Sequence, residues 1–360
     1  MTDKPRQLAR RLVLQGLGLA AASSLFGQAL HTPEAAGAAP AGSPAALPNR
    51  LKQGVVNARS MGALGDGSTD DTAALQRGLA AAQGGRFYVP AGQYLINVDY
   101  GRGGSLRPSS DTEIILDDGA QLYAMSTASQ YSAMFLLSEV ERVSIVGGTL
   151  VGERVGHPNG DGEQGHLVLL SGCADIFLSQ MTLSDAWGDG VIVAYNDDAR
   201  RQCERICLHR LVCRGNRRQG LSIVSATTVL VVDSSFSDTG GVAPGAGVDI
   251  EPDAPWSVRD VTLLRCTFAR NSGSGLQITG LASPGRCRDI RVISCIAKNN
   301  GQSGVAVFES DGVYVDALLG GDNGAFGLYA STTRGFNVGS TSLWSNSRGD
   351  LYRDNATLEG

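Results

Sequence analysis

From Val143 onward the sequence can be set out as a ladder whose rows begin at Val143, Ile176, Ile206, Val229, Val261, Ile290, Val313 and Phe336. Three steps, Ile206 to Val229, Ile290 to Val313 and Val313 to Phe336, are equal and the shortest. They set a minimal unit of about 23 residues, within the range of solenoid repeats. The other four steps carry insertions. Compare ICLHRLVCRGNRRQGLSI at 206, VTLLRCTFARNSGSGLQI at 261 and IRVISCIAKNNGQSGVAV at 290. Short alternating apolar strands separated by Asn/Gly corners recur in register. No single row can bury its own apolar face, so rows must stack on one another. Three short strands per row and a rise of about 4.8 Å describe an all-β parallel β-helix. A leucine-rich repeat has a similar period, but its Leu/Asn consensus is missing. The 48 glycines and the 6% aromatic content supply the tight corners and small stacked side chains such a coil needs.

Two columns support the alignment. The tenth residue after the row start is Asn216, Asn271, Asn300, Asn323 and Asn346. Asn tolerates left-handed backbone and can bond its stacked copies at a corner. The fifth residue is Cys266 and Cys295, with Cys213 two places later in its row. The seven cysteines read as buried free spacers rather than disulfides.

The N-terminus reads as a targeting segment. Lys4, Arg6, Arg10 and Arg11 precede an apolar stretch from Leu12 to Leu30, and Arg10-Arg11-Leu12-Val13-Leu14 resembles a twin-arginine signal. Residues 1–38 are expected to be that signal, residues 39–52 an Ala/Pro/Gly linker, and residues 53–360 the β-helix domain. Within it, 53–96 form an N-terminal cap motif and 143–352 the regular rungs. The expectation is a periplasmic or secreted protein with no stable membrane span after cleavage. Export of an already folded chain from a reducing compartment suits free thiols.

Residues 55–96, VVNARSMGALGDGSTDDTAALQRGLAAAQGGRFYVPAGQYLI, closely resemble the N-terminal cap of the pectate-lyase-like right-handed parallel β-helix superfamily. The resemblance implies a turn at Gly62–Gly67, a capping helix started by Asp70-Asp71-Thr72, and first rungs from Tyr88. Asp70 or Asp71 is a suitable N-cap, and Thr72–Ala82 has helical apolar spacing. Such a helix covers the open end of the stack. The superfamily includes polygalacturonases, uronan lyases, mannuronan epimerases and phage tailspike depolymerases, so the fold does not fix the reaction.

Each rung carries a Gly-apolar-x-apolar strand: Gly190–Val193, Gly220–Ile223, Gly247–Ile250 and Gly275–Ile278, with His166-Leu167-Val168-Leu169 placed one rung earlier. Alternation turns the second position outward, which predicts a column of Val168, Ile192, Ser222, Asp249, Gln277 and Ala306. Insertions at 152–165, 194–205, 240–246, 251–260 and 279–289 flank this one sheet, as the walls of a groove would. Asp249 and Glu251, two apart on the strand, are expected to point outward about 6.6–7 Å apart. That lies at the lower edge of the roughly 6.5–9.5 Å separation of inverting glycosidases. Asp189 stands at the strand entrance two rungs away. Asp189 matches the first catalytic position of the polygalacturonases, but Arg218-Gln219 and Gly245-Ala246 stand where that family has paired Asp and His. The epimerase Tyr–His strand has no clear counterpart.

The expected catalytic residues are Asp249, Glu251 and Asp189. The expected substrate-binding residues are Arg217, Arg218, Gln219, Ser222, Gln277, His166, Tyr195 and Trp187. Seven Arg between Arg200 and Arg218 read as a basic patch on a chain of net charge −5, and so as a site for an anionic polysaccharide. No cofactor is expected and no transition-metal spacing appears; calcium is left open by the Asp/Glu clusters. Nucleic acid is not an expected partner, and the state is monomer or trimer. The leading expectation is a glycoside hydrolase on a uronate-containing polysaccharide. The alternatives are a uronan lyase or C5-epimerase, and a glycan-binding solenoid without turnover.

Overall fold

The computed structural model describes residues 54–158, 160, 162–280 and 286–354. The signal and linker expectations fall on residues outside these. The described chain winds into three parallel sheets of eleven, nine and eleven strands, each strand bonded to the one a full turn later. This is a right-handed parallel β-helix. Its core is the column of inward Val, Ile and Leu from every rung.

The row starts read from the sequence align in the first eleven-stranded sheet. Val143 pairs with Ile176, then Ile206, Val229, Val261, Ile290 and Val313 in turn. The stack also extends below Val143, through Arg86–Val89 and Glu113–Leu116. At the N-terminal end the helix Thr72–Ala81 buries Ala74, Leu75, Gly78 and Leu79 against the first rung. A side chain at Gly78 would run into Phe87, whose ring lies 2.2 Å from where a Cβ would be. Asp71 holds the cap position but spends its carboxylate on the Leu64 and Gly65 N–H groups, at 2.6 and 2.8 Å. Asp70 accepts the first helical N–H, that of Thr72, at 2.9 Å.

The Asn column is a ladder, but not of left-handed residues. The residue before each Asn takes that conformation: Arg270, Asn299, Asp322 and Ser345 have φ of 57°, 56°, 57° and 52°. The Asn side chains turn inward and donate up the stack, Asn271 to Asn300 at 3.0 Å, Asn300 to Asn323 at 3.0 Å and Asn323 to Asn346 at 2.9 Å. They close corner N–H and C=O groups that the turn leaves unpaired inside the coil. Thr239 interrupts the column between Asn216 and Asn271. There the Asn216 Nδ2 and Thr239 Oγ1 are buried without partners. Thr239→Asn is expected to stabilise the chain by about 1 kcal/mol by pairing both neighbours, read as a higher urea midpoint at unchanged slope.

All seven cysteines are buried and free, as expected.

Candidate active site

The nine-stranded sheet presents its outer face between the inserted segments. Pairing Ile192 with Ser222, Ser222 with Asp249, Asp249 with Gln277 and Gln277 with Ala306 gives the predicted outward column from Ile192 on. Its first member is different. Ile192 pairs with Leu169, while Val168 pairs with Val191 and is fully buried in the core. The early rung lacks the Gly marker, so the sequence alignment slid by one residue, and one residue reverses the faces of a strand. The same shift puts Leu167 in the Gly column and His166, not Gly165, one place before it, directly beneath Asp189 and Gln219.

These side chains converge. Asp189 is sealed from solvent and accepts Arg218 Nη1 and the Gln219 N–H, both at 3.0 Å. Burial outweighs the Arg218 charge and these hydrogen bonds and lifts its carboxyl to about 6. His166 Nδ1 accepts the Asp189 N–H at 3.2 Å, so its proton sits on Nε2 and faces Gln164 Oε1 at 3.0 Å. Burial, reinforced by Arg218, drops this imidazole to about 3. His166 is thus a neutral support for Asp189. Gln219, buried, links the two rungs: its Nε2 donates to Asp249 Oδ2 at 3.4 Å and its Oε1 accepts the Ser222 hydroxyl at 3.4 Å. Gln277 Nε2 donates to the other Asp249 oxygen at 3.4 Å.

Asp249 points outward yet is buried under these amides. Burial first, then the charge of Glu251, raises its carboxyl to about 8, with Arg218 opposing. The strand ends at Ile250, and the Glu251 side chain comes into hydrogen-bond contact with Asp249. The expected spacing of about 6.6–7 Å assumed a continuing flat strand and does not hold. The two carboxylates are in contact, too close to flank a water.

Sequence reasoning missed Glu163. This half-exposed residue of the 152–165 insertion meets Arg218 Nε at 3.1 Å, so Arg218 bridges the wall to Asp189. The signal was its place in an insertion beside the acidic strands.

Three other expectations change. Trp187 is not open to a sugar: His157 stacks on one face at 3.9 Å between centroids, and the Arg217 guanidinium lies 3.6 Å over the ring. Arg217 turns away from the acids and donates to the Gly160 and Gly162 carbonyls at 2.9 and 2.7 Å. Arg154 pins the same wall to the Gly215 and Gly240 carbonyls. These residues hold the wall. The Arg run is no patch, because the segment from Arg200 to Arg218 wraps most of one rung and its side chains fall on different faces. Arg205 pairs with Asp175 on the first sheet, Arg201 with Glu141, and Arg218 with the site acids. Tyr195 stands on the opposite wall, stacked on Trp256 at 5.3 Å, with its hydroxyl 3.5 Å from Asp253.

Among the described residues no group of three or more His, Cys, Asp or Glu is arranged to hold a metal ion, and no helix is long and apolar enough to cross a membrane.

Residues 55–121 match the family described as rhamnogalacturonase A/epimerase, pectate lyase-like, and residues 164–341 match the right-handed β-helix region. The uncharacterized protein YclG of Bacillus subtilis is 28% identical over 221 residues, covering 55% of this chain and 38% of that protein. Mannuronan C5-epimerase AlgE3 of Azotobacter vinelandii is 49% identical over 50 residues, 13% of this chain and 3% of that protein. The chain thus spans well under half the length of these curated relatives. The A-module of mannuronan C-5 epimerase AlgE6 from A. vinelandii superposes with a TM-score of 0.68 at 18% identity, covering 81% of this chain and 76% of that one.

Proposed function

The chain belongs to the pectate-lyase-like right-handed β-helix superfamily, and from that premise we propose that it is an exported glycan-active enzyme, a glycoside hydrolase. The observation that carries the reading is the Asp249–Glu251 dyad on a walled face, protonated at neutral pH because burial and the neighbouring charge hold the Asp249 carboxyl at about 8. A carboxylic acid kept neutral at pH 7 is what protonation of a glycosidic oxygen requires. Asp249 holds that proton, and Glu251 is the more exposed carboxylate beside it. As the C–O bond breaks, that proton goes to the leaving oxygen. Water supplies its oxygen to the sugar carbon and its proton to a second carboxylate. Asp189 is sealed and committed to Arg218, so this role falls to Glu163 across the guanidinium.

The charge of the site bears on the glycan. Glu163, Asp189, Asp249 and Glu251 surround one cation, Arg218, which already pairs with two of them. A uronate carboxylate would meet no free cation among these groups. The glycan that suits the cleavage position is uncharged, in place of the anionic polymer expected from the Arg run. The same point ranks hydrolysis above a lyase or epimerase, which must neutralise a uronate.

A panel of neutral and uronate polysaccharides, read by reducing ends and by near-ultraviolet absorbance of unsaturated products, tests this. New reducing ends on a neutral polysaccharide without absorbance are expected. Absorbance on alginate or polygalacturonate would replace hydrolysis by elimination. Binding without any product would leave a glycan-binding solenoid.

A further inference from the structure

The site occupies only the middle of its face. We propose that the same face continues toward the C-terminus as a trough for an uncharged glycan chain lying along the stack, ending on an aromatic platform of Phe308, Phe326, Tyr329 and Tyr352. This extends the hydrolase reading and rests on it for the nature of the ligand.

The register carries the inference. Three outward columns leave the acids. The Asp249 column continues through Gln277 and Ala306 to Tyr329 and then Tyr352. Counted one place past the last pairing of the Asp249 strand, Glu251 falls in line with Thr279, which pairs with Phe308. The column of Asp189 and Gln219, counted from the same pairings, passes Ser274 and Ser303 to Phe326, whose N–H meets Ser303 Oγ at 3.4 Å. So each column changes from acid or amide, through small residues, to an aromatic ring. No charged side chain stands in them between Glu251 and Asp354.

The rings form one cluster. Phe308 and Phe326 lie 5.2 and 5.5 Å from Tyr329, and Tyr329 stacks on Tyr352 at 4.9 Å with planes 6° apart. Tyr352 is 40% exposed and the other three are half-buried. No core packing calls for them, since the inward positions of these strands are filled by Val305, Val307, Leu328 and Ala330. An apolar, uncharged outer patch of this kind marks a binding surface. Aromatic edges, tyrosine hydroxyls and small polar residues suit a sugar with both C–H faces and hydroxyls. From Asp249, Tyr329 is three rungs away and Tyr352 four, roughly 14 and 19 Å at about 4.8 Å per rung. One extended glycan chain can touch both ends, whereas a single sugar cannot. The walls around the acids are absent from these last rungs, whose row spacings are the shortest in the ladder, so the chain enters from an open side.

The test is affinity electrophoresis of the full chain carrying Asp249→Asn, which stops turnover. Gels are cast with arabinoxylan, galactomannan, mixed-linkage β-glucan or pullulan, and with polygalacturonate and alginate. At least one neutral gel is expected to retard the protein. Tyr352→Ala, at the exposed end of the stack, should weaken that retardation at least 5-fold. Tyr329→Phe with Tyr352→Phe keeps the packing and should weaken it less. Unchanged retardation in a folded Tyr352→Ala chain overturns the platform, as does retardation by uronate gels alone or by none. A second copy as the true occupant would show as a dimer on sedimentation that Tyr352→Ala abolishes, and this too overturns it. Retardation that needs Tyr352, in a parent chain that makes no product, supports the platform and refutes hydrolysis. The two ideas therefore fail separately.

Discussion

Asp249→Asn is expected to lower kcat by about 10²–10⁴-fold, the usual contribution of a positioned acid, while making the folded chain more stable above pH 8. The two effects have one cause. The Asp249 carboxyl rises from 3.8 to about 8 because burial and Glu251 penalise its charge. In the parent, activity should fall as pH rises through about 8, when Asp249 gives up its proton. The stability follows from linkage. The folded pKa is raised, so the folded state keeps a proton that the unfolded chain releases above about 3.8. The contribution is fully present below that value and is lost as pH rises through about 8. Asparagine has no charge to bury; its Oδ1 can accept from Gln219, and a flip of the Gln277 amide lets the Asn Nδ2 donate to Gln277 Oε1. Its advantage in Tm should be near zero at low pH and largest at pH 9. Melting curves at pH 5, 7 and 9 with initial rates on the best neutral polysaccharide check both halves. A variant that is fully active, or less stable than the parent at pH 9, would refute the role given to the dyad.

The ladder was legible because the core of a solenoid repeats the same demand on every rung. Val143, Ile176, Ile206 and their successors meet the same neighbours above and below, so the sequence spells the register out. The Asn column was visible for the same reason, but its chemistry was not. Whether Asn271 takes the left-handed corner or leaves it to Arg270 depends on one backbone angle that both residues tolerate. Legibility failed where a rung lacked its marker. Without a Gly before Leu167-Val168, the strand slid by one and Val168 was turned the wrong way. It failed again where several segments meet. Trp187 and Arg217 look like sugar-binding residues in a linear reading. Only the contacts of Gly160 and Gly162 with Arg217, with His157 on the indole, show that they hold a wall. The site carboxylates were named from the strand pattern. The burial of Asp249, and so its protonation, depends on Gln219 and Gln277 from neighbouring rungs and could not be read from the Asp249 strand alone.

Arg218→Met should be the most destabilising single change at the site. Asp189 has no exposed surface, and Arg218 is the cation that pairs with it. Removing one partner of a buried pair strands the other, at about 3–5 kcal/mol. The Gln219 N–H stays, but it carries no charge. The pH dependence identifies the stranded group. The Asp189 carboxyl already lies near 6 with Arg218 beside it, raised by burial. Without the guanidinium it must rise further, so the folded variant holds this proton over a wider range. Stability from a raised folded pKa is lost as pH rises, so the deficit against the parent should be larger at pH 7.5 than at pH 5. Adding Asp189→Asn removes the buried charge, and the double variant should recover much of the loss at pH 7.5. Glu163 loses its Arg218 contact in both variants, so a loosened wall would persist in the double variant while the electrostatic deficit would not. Urea unfolding of the three chains at the two pH values separates these contributions. A single variant as stable as the parent, or a double variant no better than the single, would show that Arg218 does not neutralise Asp189.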